Sequence, residues 1–433
     1  MIIFLLVLQA LICAFIIHRE IITLQSQNLA SSLFFAVYAI VYVLEPLTLH
    51  IFFGGARSIV AGADNIFSDD LVYIIYNLIG VTLLASSAII GAYRQNANSL
   101  PANNADFGSK RLADYLALLI CAGTALFIFA TGENALDLLQ SSRFSWFEND
   151  NFSVNLNALS AYLIALTPIY IYIVIVRSDY NRVLLVAALI AILIYGIITK
   201  DRKWIFFIAS GWLAAKYHKS DYRIEIGRIN LALLIALFVL LLLSQFLRDA
   251  LPRYFLDDDY DPIAELPGWL AHLFEYSDLS YFYRATLEAI HQNLNNGFSI
   301  SFGILRRVLF FFLPTGYSGG LKVEDISATF SDLVGGEDDL RRGSMPPGLF
   351  GVFVVSFGWF VTALIMPILA IALAKLDTLF RSKAGMAQVA IMTIYLTSVV
   401  FAFRGDESTA FYFPMMNFII LWLLTSFAKA KIL

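Results

Sequence analysis

Apolar residues in this sequence gather into blocks of roughly 17–25, each long enough to cross a hydrocarbon core of about 30 Å as a helix. That pattern leaves little choice of fold. Backbone N–H and C=O groups in lipid must be satisfied inside the spanning segment or by closing a barrel. The alternating segments of about ten residues that a barrel needs are absent. Eleven candidate spans remain: about 1–17, 29–53, 71–93, 112–131, 154–176, 183–199, 204–217, 229–247, 349–374, 386–403 and 411–428. Only 14% of the 433 residues are charged, against about 25% in an ordinary soluble domain. The expectation is an all-α polytopic membrane protein with about eleven transmembrane helices, one integral membrane domain over 1–433. No basic stretch precedes the first block and no small-residue cleavage site follows it, so it reads as a retained span.

Charge distribution orients the spans. With the N-terminus outside, the inner segments carry 15 Lys and Arg, while the short outer loops carry six. Acidic residues lean the other way, 26 of 33 falling outside. Both biases put the C-terminus inside. They also put the long polar segment 248–348, between spans 8 and 9, on the outer face. In a bacterium that face is periplasmic and the membrane is the inner one. Cys13 and Cys121 both lie in apolar blocks, so neither a disulfide framework nor a zinc pattern is present.

The polar segment has its own structure. Leu273–Asn295 shows helical apolar spacing through Leu279, Phe282, Leu287, Ile290 and Leu294. Arg284, Glu288, His291 and Asn295 recur at the spacing of one helix face. That face fits either a solvated surface or the polar wall of a cavity. Ser299–Leu313 is apolar around Arg306 and Arg307 and ends before Pro314, which suits a helix lying in the interface with its guanidinium groups among lipid headgroups.

Several residues oppose their surroundings. Lys200, Arg202 and Lys203 crowd a tight outer turn against the inner bias, beside Trp204. Interfacial snorkelling with Trp204 as anchor accounts for them; so does an anion site, since Arg grips phosphate oxygens with a bidentate fork. Arg404, Asp406 and Glu407 join the last two spans, either as a solvated turn or as a further cation with carboxylates able to take a hydroxyl proton. Glu45, Pro46 and His50 lie toward the outer end of span 2, where an ionisable group is costly. Asp257, Asp258, Asp259 and Asp261 lack the glycine and terminal glutamate of a calcium loop, so solvated carboxylates are the simpler account. No metal-ligand spacing, nucleophile elbow or nucleotide loop is present, and nothing points to a cofactor or to nucleic acid.

The outer face thus carries Arg202, Lys203, Arg248, Arg253, Arg284, Arg306, Arg307, Arg341, Arg342 and Arg404 among acids and aromatics. Cations suit a diphosphate; aromatics and carboxylates suit sugar faces and hydroxyls. Ser344-Met345-Pro346-Pro347-Gly348-Leu349-Phe350-Gly351, followed by Phe357-Gly358-Trp359, resembles a stretch of the Wzy-type repeat-unit polymerases of O-antigen and capsule. The span layout with a large late loop and the basic turn at Arg202 resemble them too. The sequence departs at Val352, where those proteins carry an acid, and at Lys200-Asp201-Arg202-Lys203, where they often have Ser-Arg-Gly. The resemblance implies a GT-C-like fold and a glycosyl transfer outside the cytoplasm. A growing glycan would leave undecaprenyl diphosphate for a hydroxyl of a lipid-linked repeat unit, with membrane lipids and a chain-length regulator as further partners. It implies Arg202, Lys203 and Arg404 as diphosphate ligands, then Arg341, Arg342, Arg284 and Arg253. Asp406, Glu407, Glu288 and His291 are the candidate bases. An O-antigen ligase, or a flippase that performs no chemistry, fits the same layout.

Overall fold

The computed structural model describes residues 2–20, 28–56, 69–94, 110–132, 153–177, 180–199, 203–220, 261, 263–266, 278–296, 303–309, 326–334, 346–381, 386–404, 416–420 and 423. Among these residues all regular structure is helical. In chain order we label α1 Ile2–His18, α2 Leu29–Phe52, α3 Asp70–Arg94, α4 Lys110–Thr131, α5 Val154–Ile164, α6 Thr167–Val176, α7 Arg182–Thr199 and α8 Lys203–Lys219. The remainder are α9 Asp278–Asn295, α10 Gly303–Leu309, α11 Ile326–Leu333, α12 Gly348–Arg381 and α13 Met386–Arg404. Among the described residues six helical stretches have the length and apolarity to cross a membrane: α2, α3, α4, the α5–α6 pair, α7 and α12. The described residues are all-α, and their long apolar helices mark a membrane-embedded chain. The expected spans at 229–247 and most of 411–428 lie outside the described residues.

The chain divides into two compact units. The first gathers α1–α3, α9–α12 and the last turns of α13; the second holds α4–α8 and the rest of α13. In the first unit the sense of each helix can be read from its contacts. Gln9 meets Asn77, and Arg19 meets Ala88, so α1 and α3 run parallel. Tyr38 reaches back to Gln9, and Asp377 of α12 meets Ala30 while Leu349 meets Tyr42. So α2 runs against α1, α3 and α12.

Buried polar groups fasten this unit at one end. The Arg19 guanidinium donates to Glu20 at 2.7 Å and to the Ala88 carbonyl at 2.8 Å. Asn28 donates to the other Glu20 oxygen. The Asp377 side chain is fully buried and accepts from the Ala30 amide at 2.6 Å, from the Ser31 amide and from the Ser31 hydroxyl. Those amides are among the first of α2, which have no partner within their own helix. A carboxylate from α12 therefore caps α2, and the positive end of the α2 dipole favours its charge.

Two spans depart from continuous α-helix. In α2 the turns Ala39–Leu44 are π-helical before α-helix resumes at Glu45. In the second unit the expected span 154–176 is broken between α5 and α6. Pro168 has no amide, and its ring excludes the carbonyl four residues back. The freed groups are taken up locally: the Thr167 hydroxyl donates to the Ile164 carbonyl at 2.6 Å, and Asn417 donates to the Ala165 carbonyl at 2.7 Å.

Asp377→Ala removes the acceptor for three donors and is expected to lower stability by roughly 2 kcal/mol. Denaturant unfolding of the detergent-solubilised protein measures it. An unchanged midpoint would show that the cap carries no weight.

Candidate functional site

The long polar segment meets the first unit through its described helices. Its helix α9 packs along the first turns of α12 and across α2 and α3. The reason is its sequence: Phe282, Tyr283, Ala285, Thr286, Leu287, Ala289 and Ile290 are all buried. The solvated reading of the Arg284–Asn295 face fails at Glu288, which is 1% exposed. Its Oε1 accepts from Gln292 one turn on at 2.9 Å. Arg284 and His291 are half-buried, and His291 Nε2 pairs with the Asn295 amide at 2.9 Å.

The docking of α9 is specific at three points. At the first, Pro346 to Gly351 are buried and open α12. The Tyr42 hydroxyl accepts from the Leu349 amide at 2.8 Å and lies 3.5 Å from the Thr286 hydroxyl. Thr286 donates to the Phe282 carbonyl at 2.9 Å. Gly348 adopts φ +76°, and a Cβ there would stand 2.8 Å from both the Phe282 carbonyl oxygen and the Tyr42 hydroxyl. Only glycine lets the chain enter α12 this close to α9.

At the second point α12 breaks. Gly358 takes φ 76° and ψ 159°, a region essentially confined to glycine. The interrupted ladder frees the Trp359 amide, which donates to Asn293 Oδ1 of α9 at 3.2 Å. Just before the break, the Ser356 hydroxyl accepts from the Ile304 amide of α10 at 3.3 Å. Ile304, Ile326, Val352 and Phe357 share one apolar cluster there. The amphipathic stretch expected over Ser299–Leu313 is described only at α10, which packs on α12 with Arg306 half-buried.

At the third point the Tyr283 hydroxyl meets His50 Nε2 at 3.1 Å. Burial, reinforced by neighbouring Tyr73, holds this phenol well above its ordinary range, so it meets the imidazole as a neutral O–H. The Tyr76 ring lies edge-on to Tyr283 with centroids 5.0 Å apart, and its hydroxyl donates to the Tyr42 carbonyl at 2.6 Å.

The other sequence candidates scatter. Lys203 opens α8 in the second unit, half-buried. Trp204 beside it turns back onto α7, where the missing side chain of Gly196 leaves room for the indole. Arg404 is the last residue of α13. Arg202, Arg253, Arg341, Arg342, Asp406 and Glu407 lie outside the described residues. The structure thus brings Arg284, Glu288 and His291 together on one helix. Among the described residues no cluster of His, Cys, Asp or Glu is set to hold a metal ion. Sequence reasoning missed Asn293, Thr286, Tyr42 and Gly358 as a set. The available signal was a glycine followed by tryptophan inside an apolar span, which marks either close packing or a break.

Comparison with protein-family models, with curated proteins and with solved structures finds no match.

Gly358→Ala is expected to cost roughly 1–3 kcal/mol, because alanine is strained at that φ. Gly348→Ala should cost more, since its Cβ also collides with α9. Thermal unfolding in detergent ranks the two; equal, negligible shifts would mean that α9 is not docked on α12.

Proposed function

We propose that this protein is a membrane glycosyltransferase of the repeat-unit polymerase type. It would move a growing glycan from undecaprenyl diphosphate to a hydroxyl of an incoming lipid-linked oligosaccharide, at the periplasmic face of a bacterial inner membrane. One observation carries the reading. Two of the pieces of sequence that resemble those polymerases, the described part of Ser344–Gly351 and Phe357–Trp359, sit against the same helix of the long polar segment. Asn293 of α9 is thereby fixed at the helix break.

The chemistry asks for two things. Negative charge builds on the departing diphosphate, and preorganised cations stabilise it without rearranging as the bond breaks. Arg284 has the bidentate fork for this; the further cations are those that the resemblance implies. The acceptor hydroxyl must also be held in line with the breaking bond. His291 and Glu288 are the α9 groups for it, with Asp406 and Glu407 as the other carboxylates. The helix senses of the first unit support the orientation. With α1, α3 and α12 parallel, the start of α12 and the start of α1 face one side, as the charge bias requires.

Deletion of the gene is expected to leave single repeat units on the surface lipid and no ladder on a lipopolysaccharide or capsule gel. Loss of every repeat would instead favour a ligase or a flippase. Complementation with Arg284→Ala should cut ladder synthesis about 100-fold, the usual cost of one transition-state donor, with Arg284→Lys partly restoring it. A full ladder from Arg284→Ala would remove that residue from the diphosphate site.

A further inference from the structure

The first unit buries a further carboxyl where α9 packs. Glu45 is 6% exposed, on the part of α2 against which α9 packs. Its Oε1 is enclosed with no hydrogen-bond partner. Glu288 is different: one of its oxygens is already committed to Gln292. Buried polar groups nearly always find partners, so an exception needs an explanation. In a membrane span the demand is stronger still, because an ionisable group there is expensive to keep.

The backbone at Glu45 is also exceptional. It is the first residue after the π-helical turns Ala39–Leu44, and Pro46 follows it. Single π turns inside α-helices recur at functional sites. The polar side chains on either side of Glu45 are engaged. Tyr42 holds Leu349 and approaches Thr286, while His50 pairs with Tyr283. Glu45 stands between them uncommitted.

We propose that Glu45 is the group that receives the acceptor hydroxyl. This rests on the polymerase reading and assigns its proton acceptor. The hydroxyl oxygen bonds to the anomeric carbon of the donor glycan. The bond from that carbon to the diphosphate oxygen breaks, and its electron pair leaves with the diphosphate. The hydroxyl proton passes to the Glu45 carboxylate and is later lost to water. Glu288, already oriented by Gln292, positions the substrate.

The test is complementation of the deletion strain with Glu45→Gln and Glu45→Asp, read as ladder on the gel and as melting temperature of the purified protein. Glu45→Gln should lose at least 100-fold of the ladder while melting at or above the wild-type temperature, because an unpartnered carboxylate is not holding the fold together. Glu45→Asp should recover part of the ladder. A wild-type ladder from Glu45→Gln would overturn the assignment. So would loss of the ladder together with a fall of several degrees in melting temperature, which would mark a structural carboxyl. If the deletion itself leaves the ladder intact, the polymerase reading fails; if the deletion removes it and Glu45→Gln restores it fully, only the role of Glu45 fails.

Discussion

Lipid offers no hydrogen bonds, and the whole structure is arranged around that fact. At three places where a described helix starts or breaks, a side chain from elsewhere takes over a freed backbone group. Asn293 does so for Trp359, Asn417 for Ala165, and Asp377 for Ala30 and Ser31. Arg19 is kept in a buried position by two carbonyls of α3 as well as by Glu20. Threonines in the spans more often bond a carbonyl four residues back in their own helix. Among the described carboxylates, Glu45 is the one with a buried oxygen that has no hydrogen-bond partner.

The same rule explains why α9 is part of the bundle. A polar segment of about a hundred residues invites the picture of a mobile loop over a rigid scaffold. Instead, α9 supplies partners that α12 needs in order to start at Gly348 and to break at Gly358. Fold and site share residues here. Thr286 and Asn293 hold α12 in place, and by doing so they hold Arg284, Glu288 and His291 in place too. One feature that is costly for stability is the enclosed carboxyl oxygen of Glu45.

Much of this was legible in the sequence, and the division is physical. The spans of α2, α3, α4, α7 and α12 follow from apolar length alone, which depends on local composition. The helical character of α9 followed from its spacing. Its depth of burial did not. Arg284, Glu288 and His291 look the same on a solvated face and on an inner one, and only the partner surface decides. The break at Gly358 was visible as a residue and invisible as an event, since glycine is common in membrane helices that stay straight. The π turns before Glu45 have no composition cue at all. The cationic turn at Lys203 and Trp204 carried a clear signal, yet Trp204 is half-buried against Gly196, a packing that hydropathy does not encode.

The Asp377 cap has a consequence for how the protein is made. Its partners Ala30 and Ser31 lie 347 and 346 positions earlier in the chain. During synthesis α2 must wait with its leading amides uncapped until Asp377 leaves the ribosome. At about 5–20 residues per second that delay is on the order of tens of seconds. The first unit therefore closes late, after α4–α8 have been made, and a nascent chain truncated before Asp377 carries an open seam that quality-control proteases can recognise.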